Sequence, residues 1–356
     1  MSKFCCQNCF NDDHISQIIL DTMDSKGSCD YCGSTSAALV EPRKLFFFIE
    51  QLDIAFEEFE EGELLIDILS MKLKFFKDSV LNKQRLFEDI IDSDLSLKTK
   101  KYKVPQRKES LAEWSEFSNE IKSKNRFFPR SMLATQTINW YDGITQTSAF
   151  NVLVESLTAK IIDDYDYYRA RISNNEERFE IKNMFAPPHE FASAGRANPV
   201  GISYLYLAEN IETCIAEVRP SNDGFINIAQ FKTVNINKVI DLTNPREKAS
   251  IFKVESENLA NALKYIDLLE IFALELSKPI QPNRAHLDYI PTQFLCEYFK
   301  TICRYEGILF NSSFGKGKNL VLFNESFVNP VEMKYFKVVL TEYTHKEVET
   351  LSIQVI

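Results

Sequence analysis

A chain of 356 residues with 45% hydrophobic and 26% charged residues has the balance of a globular protein and the length for two or three domains. Its net charge of −10 argues against a protein that coats nucleic acid. No run of about 18 apolar residues occurs, and cysteines and acids stand where a signal peptide would carry a basic flank and an apolar core, so the expectation is a cytoplasmic protein without a membrane span.

The first element is cysteine-rich. Cys6-x2-Cys9 and Cys29-x2-Cys32 are separated by 19 residues, a spacing that predicts a four-thiolate structural zinc site on Cys6, Cys9, Cys29 and Cys32. Such a site can fix a segment too small to bury its own core. Cys5 adjoins Cys6 and leaves the first ligand open between the two, while His14 reads better as a surface residue than as a ligand. Disulfides are disfavoured in a chain without export signals. Zinc ribbons often touch nucleic acid, but residues 1–43 carry three basic residues (Lys3, Lys26, Arg43) against six acidic ones (Asp12, Asp13, Asp21, Asp24, Asp30, Glu41). A phosphate backbone would be repelled, and the reading is a folded cap.

From Arg43 to Lys160 the pattern predicts helices. Leu45, Phe48, Ile49 and Leu52 recur at helical steps, as do Leu64, Ile68, Met71 and Phe75. Glycine is almost absent and Glu, Lys and Leu are frequent. Leu97 to Pro105 reads as a charged connection, Trp114, Phe117 and Ile121 restart the period, and Arg126 to Pro129 marks a further break. The aromatic stripe is expected to pack in a core.

Beyond Tyr165 the texture changes to short strands and turns. Strands are predicted at Ile202–Leu207, Phe225–Phe231, Lys238–Leu242, Ile308–Phe310, Leu320–Phe323 and Tyr335–Leu340. Asn210 is the expected N-cap of a helix that runs through Arg219 and halts at Pro220; a longer helix follows from Glu257 to Leu276, and Pro291 opens another. The class is α+β, without a repeated βαβ unit. No Gly-x-Gly-x-x-Gly or Walker-type loop supports a Rossmann or P-loop reading.

The chemistry gathers between Tyr167 and Pro220. Tyr168-Arg169-Ala170-Arg171 is followed by Gly195-Arg196-Ala197-Asn198-Pro199-Val200-Gly201, then by an apolar run ending at Tyr206 and a helical segment carrying Glu217. Guanidinium forks suit phosphate oxygens, an aromatic face can stack on a planar ring, and a carboxylate can manage a developing positive charge. A phosphorylated, sugar-bearing ligand would need such a set.

These stretches, with Pro187-Pro188, Tyr204-Leu205-Tyr206-Leu207-Ala208, Glu212 to Arg219, Gly307 to Ser313 and Asn319 to Phe323, resemble in order the core of a RES domain over about residues 165–325. The region before it resembles the HEPN-related helical domains found in front of RES domains. HEPN ribonucleases use an Arg followed by His, and no histidine lies between His14 and His189, so the resemblance implies docking, dimerisation or occlusion for the helices. The implied architecture is a zinc-ribbon cap at 1–42, an all-α HEPN-like domain at 43–160, and an ADP-ribosyltransferase-like RES domain at 161–356.

The family resemblance implies action on NAD+, cleaving the nicotinamide–ribose bond with water or phosphate as acceptor or passing ADP-ribose to a protein, in a toxin or defence effector. A non-catalytic nucleotide-binding adaptor is the alternative of a different class. Glu217 matches the family's glutamate and Tyr206 its tyrosine. Arg169 or Arg171 matches the first arginine, with Arg169 preferred because it follows Tyr167-Tyr168. Arg196 matches the arginine expected on the pyrophosphate, Asn198 belongs to the same turn, and Ser312 or Ser313 matches the serine. Shorter family members have a tryptophan where this chain has Ala197, which leaves the stacking partner there in question; His189 and Glu190 are further pocket candidates. The implied partners are NAD+, an antitoxin or regulatory protein, and a second copy of the chain.

Overall fold

The computed structural model describes residues 3–92, 94–131, 133–137, 148–173, 175–279 and 284–341. Strands β1 (Cys5–Cys6), β2 (Ser25–Gly27) and β3 (Ala37–Val40) form a small antiparallel sheet in the order β1-β3-β2, with helix α1 (Asp13–Thr22) packed on it. Asp12 starts that helix by accepting the amides of His14 and Ile15. The cap joins the body through aromatic edges: Phe10 meets Phe75 at 5.1 Å, and Phe75 meets Phe252 at 5.9 Å.

Helix α2 (Phe46–Ala55) buries Phe48, Ile49 and Leu52, as their spacing predicts. The expectation of an all-α region fails just after it. Strand β4 (Glu57–Leu64) pairs antiparallel with β5 (Lys101–Lys103), so the Leu97–Pro105 connection contains a strand. Glu57, Glu58, Glu60 and Glu61 would sit as like charges three and four residues apart in a helix and repel; extended, all four point to solvent. Gly62 permits the pairing, because a Cβ there would lie 2.4 Å from the Tyr102 carbonyl oxygen.

The second apolar period also breaks. Leu64 closes β4, the single turn α3 (Leu65–Asp67) runs into a π-turn at Ile68–Lys72, and Met71 is 75% exposed. Helix α4 (Lys83–Ile91) precedes β5, and α5 (Arg107–Ser123) buries Trp114, Phe117 and Ile121 as predicted. Arg126 to Pro129 is non-helical, and α6 (Ala149–Ser156) ends the region.

The remaining chain builds an eight-stranded mixed sheet from β6 (Thr158–Ala159), β7 (Asp166–Ser173), β8 (Leu205–Ala208), β9 (Phe225–Thr233), β10 (Val239–Asp241), β11 (Gly307–Asn311), β12 (Lys318–Leu322) and β13 (Val328–Lys337). The order is β13-β9-β7-β8-β12-β11-β10-β6. Helix α7 (Ile211–Val218) follows β8; α8 (Pro245–Lys248), α9 (Leu259–Ser277), α10 (Ala285–Asp288) and α11 (Ile290–Thr301) lie between β10 and β11. Two strands are shifted from expectation: β8 starts at Leu205 rather than Ile202, and β13 begins at Val328 and ends at Lys337.

Alternation decides the faces. Ile308, Phe310 and Val321 join the large core shared with α5, α9 and α11, whereas Leu309, Leu320 and Leu322 pack on the opposite face with Leu205, Leu207 and Phe231. The large core is continuous from Phe10 in the cap through Phe117 to Phe272 and Phe299. Arg246 ties the helical region to α9: it pairs with Asp267 and Glu270, and its Nη1 donates to the Lys72 carbonyl at 2.6 Å. No helix among the described residues is long and apolar enough to cross a membrane.

One irregularity positions the site. β7 pairs with β9 along its whole length and β8 pairs with β12 throughout, but β7 and β8 pair at a single position, Tyr168 with Ala208. The sheet splits between them.

Candidate functional site

A cavity of about 320 Å³ opens at the split. Its walls include Arg169 from β7, Arg196 from the loop before β8, Tyr206 from β8, Glu217 and Arg219 from the end of α7, and Asn319 from β12. All the lining residues lie between Tyr168 and Asn319; among the described residues, none from the cap or the helical region reaches it.

Glu217 owes its place to α7. Asn210 caps that helix by accepting the Thr213 amide at 2.8 Å, and the helix stops after Val218. A carboxylate in the last turn stands at the negative end of the helix dipole, a position that costs free energy unless donors offset it. Two do: Ser312 Oγ and Asn319 Nδ2 both donate to Glu217 Oε1 at 2.6 Å. Oε2 is left 3.7 Å from Arg196 Nη1. Ser312 is fixed in turn by the amides of Phe314 and Gly315, which donate to its Oγ at 3.1 and 3.0 Å. Its one proton goes to Glu217, so the hydroxyl holds the carboxylate in one orientation.

The arginine turn is clamped from two sides. Gln293 Nε2, near the start of α11, donates to the Gly195 and Asn198 carbonyls, and Thr292 Oγ1 donates to that of Arg196. From β8, the Tyr206 hydroxyl donates to Asn198 Oδ1 at 2.7 Å and accepts the Ala197 amide at 2.9 Å. Burial pushes the Tyr206 hydroxyl pKa well above its ordinary value, so it stays a neutral donor. Only glycine fits at 195: a Cβ would lie 2.5 Å from the Tyr206 hydroxyl and from Asn198 Oδ1.

Arg169 sits in the split. Its Nη1 reaches the Tyr206 carbonyl at 3.5 Å, and its Nε is buried without a hydrogen-bond partner. Burial, and then the charge of Arg171, lower its pKa to about 10, which leaves it cationic at neutral pH. A half-buried guanidinium with a buried, unpaired Nε and no carboxylate beside it among the described residues is costly unless an anion joins it.

Several expected residues stand apart. Arg171 is exposed, donates to the Asn183 carbonyl at 2.5 Å and lies over the Phe179 ring; it borders a separate groove of about 1040 Å³ with His189. Two residues farther along β7, it is carried past the cavity that Arg169 lines. Ser313 bonds the Ser277 carbonyl and points away from Glu217. Asn198 does not line the cavity, since its amide is spent on the carbonyls of Ser193, Pro199 and Ile202. Ala197 is fully buried in the core and offers no stacking surface, and Glu190 does not line the cavity. Asn319 and Arg219 are wall residues that the sequence reading did not single out, although both lie within the matched motifs.

The cap holds a second candidate centre, for a metal. The sulfurs of Cys6, Cys9, Cys29 and Cys32 all lie within 4.8 Å of one another, with Cys6–Cys32 at 3.5 Å and Cys9–Cys29 at 3.4 Å. Those separations exclude disulfides and fit the roughly 3.8 Å edge of a tetrahedron with zinc–sulfur bonds of about 2.3 Å. Cys5 turns away to the Val40 carbonyl, which leaves Cys6 in the cluster.

Residues 167–340 match the RES domain family model, and the chain carries a RES domain there. The match begins at Tyr167 and leaves the cap and the helical region outside it. No curated protein matches the chain. A chain in the crystal structure of the M. tuberculosis MbcT-MbcA toxin–antitoxin complex is similar at 12% identity with a TM-score of 0.31, covering 54% of this chain and 93% of that one.

Proposed function

We propose that this RES-domain chain is an NAD+-consuming enzyme that cleaves the nicotinamide–ribose bond, with Glu217 as the carboxylate that stabilises the ribosyl cation. The observation that carries the reading is one cavity holding both a carboxylate fixed by two donors and a half-buried guanidinium, that of Arg169, whose Nε is buried without a hydrogen bond and which has no carboxylate partner among the described residues. The first suits a developing cation, the second a diphosphate.

In NAD+ the nicotinamide ring nitrogen carries the positive charge. When its bond to the ribose carbon breaks, the electron pair goes to that nitrogen and nicotinamide leaves neutral, so the step needs no general acid. No histidine is among the described residues that line the cavity, in keeping with that requirement. The ribose is left as an oxocarbenium-like cation, as in glycoside cleavage. Glu217 Oε2, the oxygen not taken by Ser312 and Asn319, stabilises it and orients the ribose hydroxyls. Arg169 and Arg196 grip the diphosphate, and the cation is closed by a new bond from the ribose carbon to an oxygen of water, which releases a proton to solvent, or of phosphate. Zinc on Cys6, Cys9, Cys29 and Cys32 fixes the cap and takes no part in the chemistry.

Unrestrained loss of NAD+ harms the cell that makes the enzyme. The fitting context is a toxin or defence effector held in check by an antitoxin or regulatory protein. Purified protein is incubated with NAD+, with and without phosphate, and nicotinamide, ADP-ribose and ADP-ribose-1″-phosphate are quantified. Nicotinamide release supports the reading and the sugar product identifies the acceptor. Transfer of ADP-ribose mass to a protein would make the chain a protein ADP-ribosyltransferase. Binding of NAD+ without turnover under any acceptor would sink the enzymatic reading and favour a nucleotide-binding adaptor.

A further inference from the structure

Arg219 holds a backbone conformation that its sequence resists. It sits at φ 49° and ψ 60°, in the left-handed region, as the C-cap of α7. Helices commonly end on such a residue, but the residue is usually glycine, because a side chain there presses Cβ against the backbone. Pro220 follows directly, and a residue before proline is driven toward extended ψ values. Arginine is therefore disfavoured here on two counts.

The conformation places the side chain where its charge is unspent. Arg219 lines the Glu217 cavity and is exposed; its guanidinium lies 5.0 Å from the centroid of the Phe314 ring and makes no ion pair or hydrogen bond among the described residues. The same ring also carries Arg196 at 5.7 Å. Phe314 is held by its backbone amide, which donates to Ser312 Oγ at 3.1 Å, and Gly315 and Gly317 close against Thr213 of α7, where a Cβ on either would lie within 2.7 Å of the Thr213 hydroxyl. One aromatic ring on a pinned loop thus sets the spacing of two guanidinium groups. With Arg169, three cations line the cavity against one carboxylate, that of Glu217, among the described residues, an excess of positive charge in a chain of net charge −10.

We propose that Arg219, steered by Phe314 together with Arg196, forms a diphosphate subsite at the edge of the cavity. This rests on the NAD+ reading for its substrate, but the grip itself is tested without turnover. Guanidinium forks match phosphate oxygens in pairs, and a strained residue kept in place by its surroundings marks a functional constraint.

The test compares wild type, Arg219→Gly and Arg219→Lys. Affinity for ADP-ribose is measured by calorimetry, the melting temperature by calorimetric scan, and nicotinamide release from both NAD+ and nicotinamide riboside, which lacks the diphosphate. Arg219→Gly removes the strain and the charge together, so the melting temperature holds or rises while ADP-ribose affinity falls roughly tenfold to a hundredfold. KM for NAD+ rises with little change in kcat, and the loss on nicotinamide riboside is much smaller. Arg219→Lys keeps the charge without the fork and falls between. Unchanged ADP-ribose affinity in Arg219→Gly, or equal losses on the two substrates, would overturn the subsite and leave the reaction standing. A wild type that binds ADP-ribose through Arg219 but releases no nicotinamide would sink the reaction and leave the subsite.

Discussion

Ser312 gives its only hydroxyl proton to Glu217, at 2.6 Å, while two backbone amides from the loop that follows hold its oxygen from behind. The carboxylate is therefore oriented by a residue that is itself fixed. Ser312→Ala leaves Asn319 as the sole donor to that oxygen. The expected result is a fall in kcat of roughly tenfold to a hundredfold, the scale on which groups that orient a working residue act, with KM nearly unchanged. Ser313→Ala, beside it but bonded to Ser277, should differ little from wild type. Steady-state nicotinamide release distinguishes the two serines that sequence left equivalent.

Tyr206 acts through its hydroxyl on the turn that carries Arg196. In Tyr206→Phe, the Ala197 amide loses its partner and Asn198 Oδ1 loses a donor. An unsatisfied buried polar group costs about 1–3 kcal/mol. Chemical denaturation should show a loss on that scale, and NAD+ affinity should fall as the turn loosens. Unchanged stability would mean that the turn is held by Gln293 and Thr292 alone.

At the cap, metal analysis should find one zinc per chain. Cys9→Ser and Cys6→Ser should each lose it and lower the melting temperature, while Cys5→Ser keeps it. Loss of zinc from Cys5→Ser with retention in Cys6→Ser would exchange the two roles.

The Arg246–Glu270 pair sets an acid limit. Burial alone would raise the Glu270 pKa, but its hydrogen bond and charge contact with Arg246, and those with Arg107, bring it below the ordinary 4.5. A carboxyl whose pKa is lowered on folding contributes stability above its unfolded value, and that stability is lost as pH falls through the folded value. Melting temperature should therefore drop as pH is taken below about 4.5, and Glu270→Gln should be less stable at pH 7 with a flatter acid limb. Parallel curves for the two proteins would show that other carboxyls dominate.

Much of the site was legible because local rules coincide there. Asn210 capping a helix halted before Pro220 places Glu217 in a last turn, and glycine at 195 marks a turn that tolerates no side chain. What was hidden depends on long-range placement. Arg169 and Arg171 lie two residues apart on one strand, and only the divergence of β7 from β8 decides which reaches the cavity. Strand β4 is hidden because the scarcity of glycine from Arg43 to Lys160 suggests helix and masks the run of glutamates, whose repulsion favours an extended chain. Arg219 could have been suspected from one signal, a bulky residue wedged between a helix end and a proline.

Glu217 is tested by nicotinamide release from NAD+ in Glu217→Gln beside wild type, with NAD+ affinity measured on both. The amide keeps the size and can still bond Ser312 or Asn319, but it carries no negative charge for a ribosyl cation. Release is expected to fall at least roughly a hundredfold, the scale of losing one electrostatic stabiliser, while NAD+ affinity stays within a few-fold of wild type. Equal release by both proteins would contradict the role given to Glu217 and with it the proposed reaction.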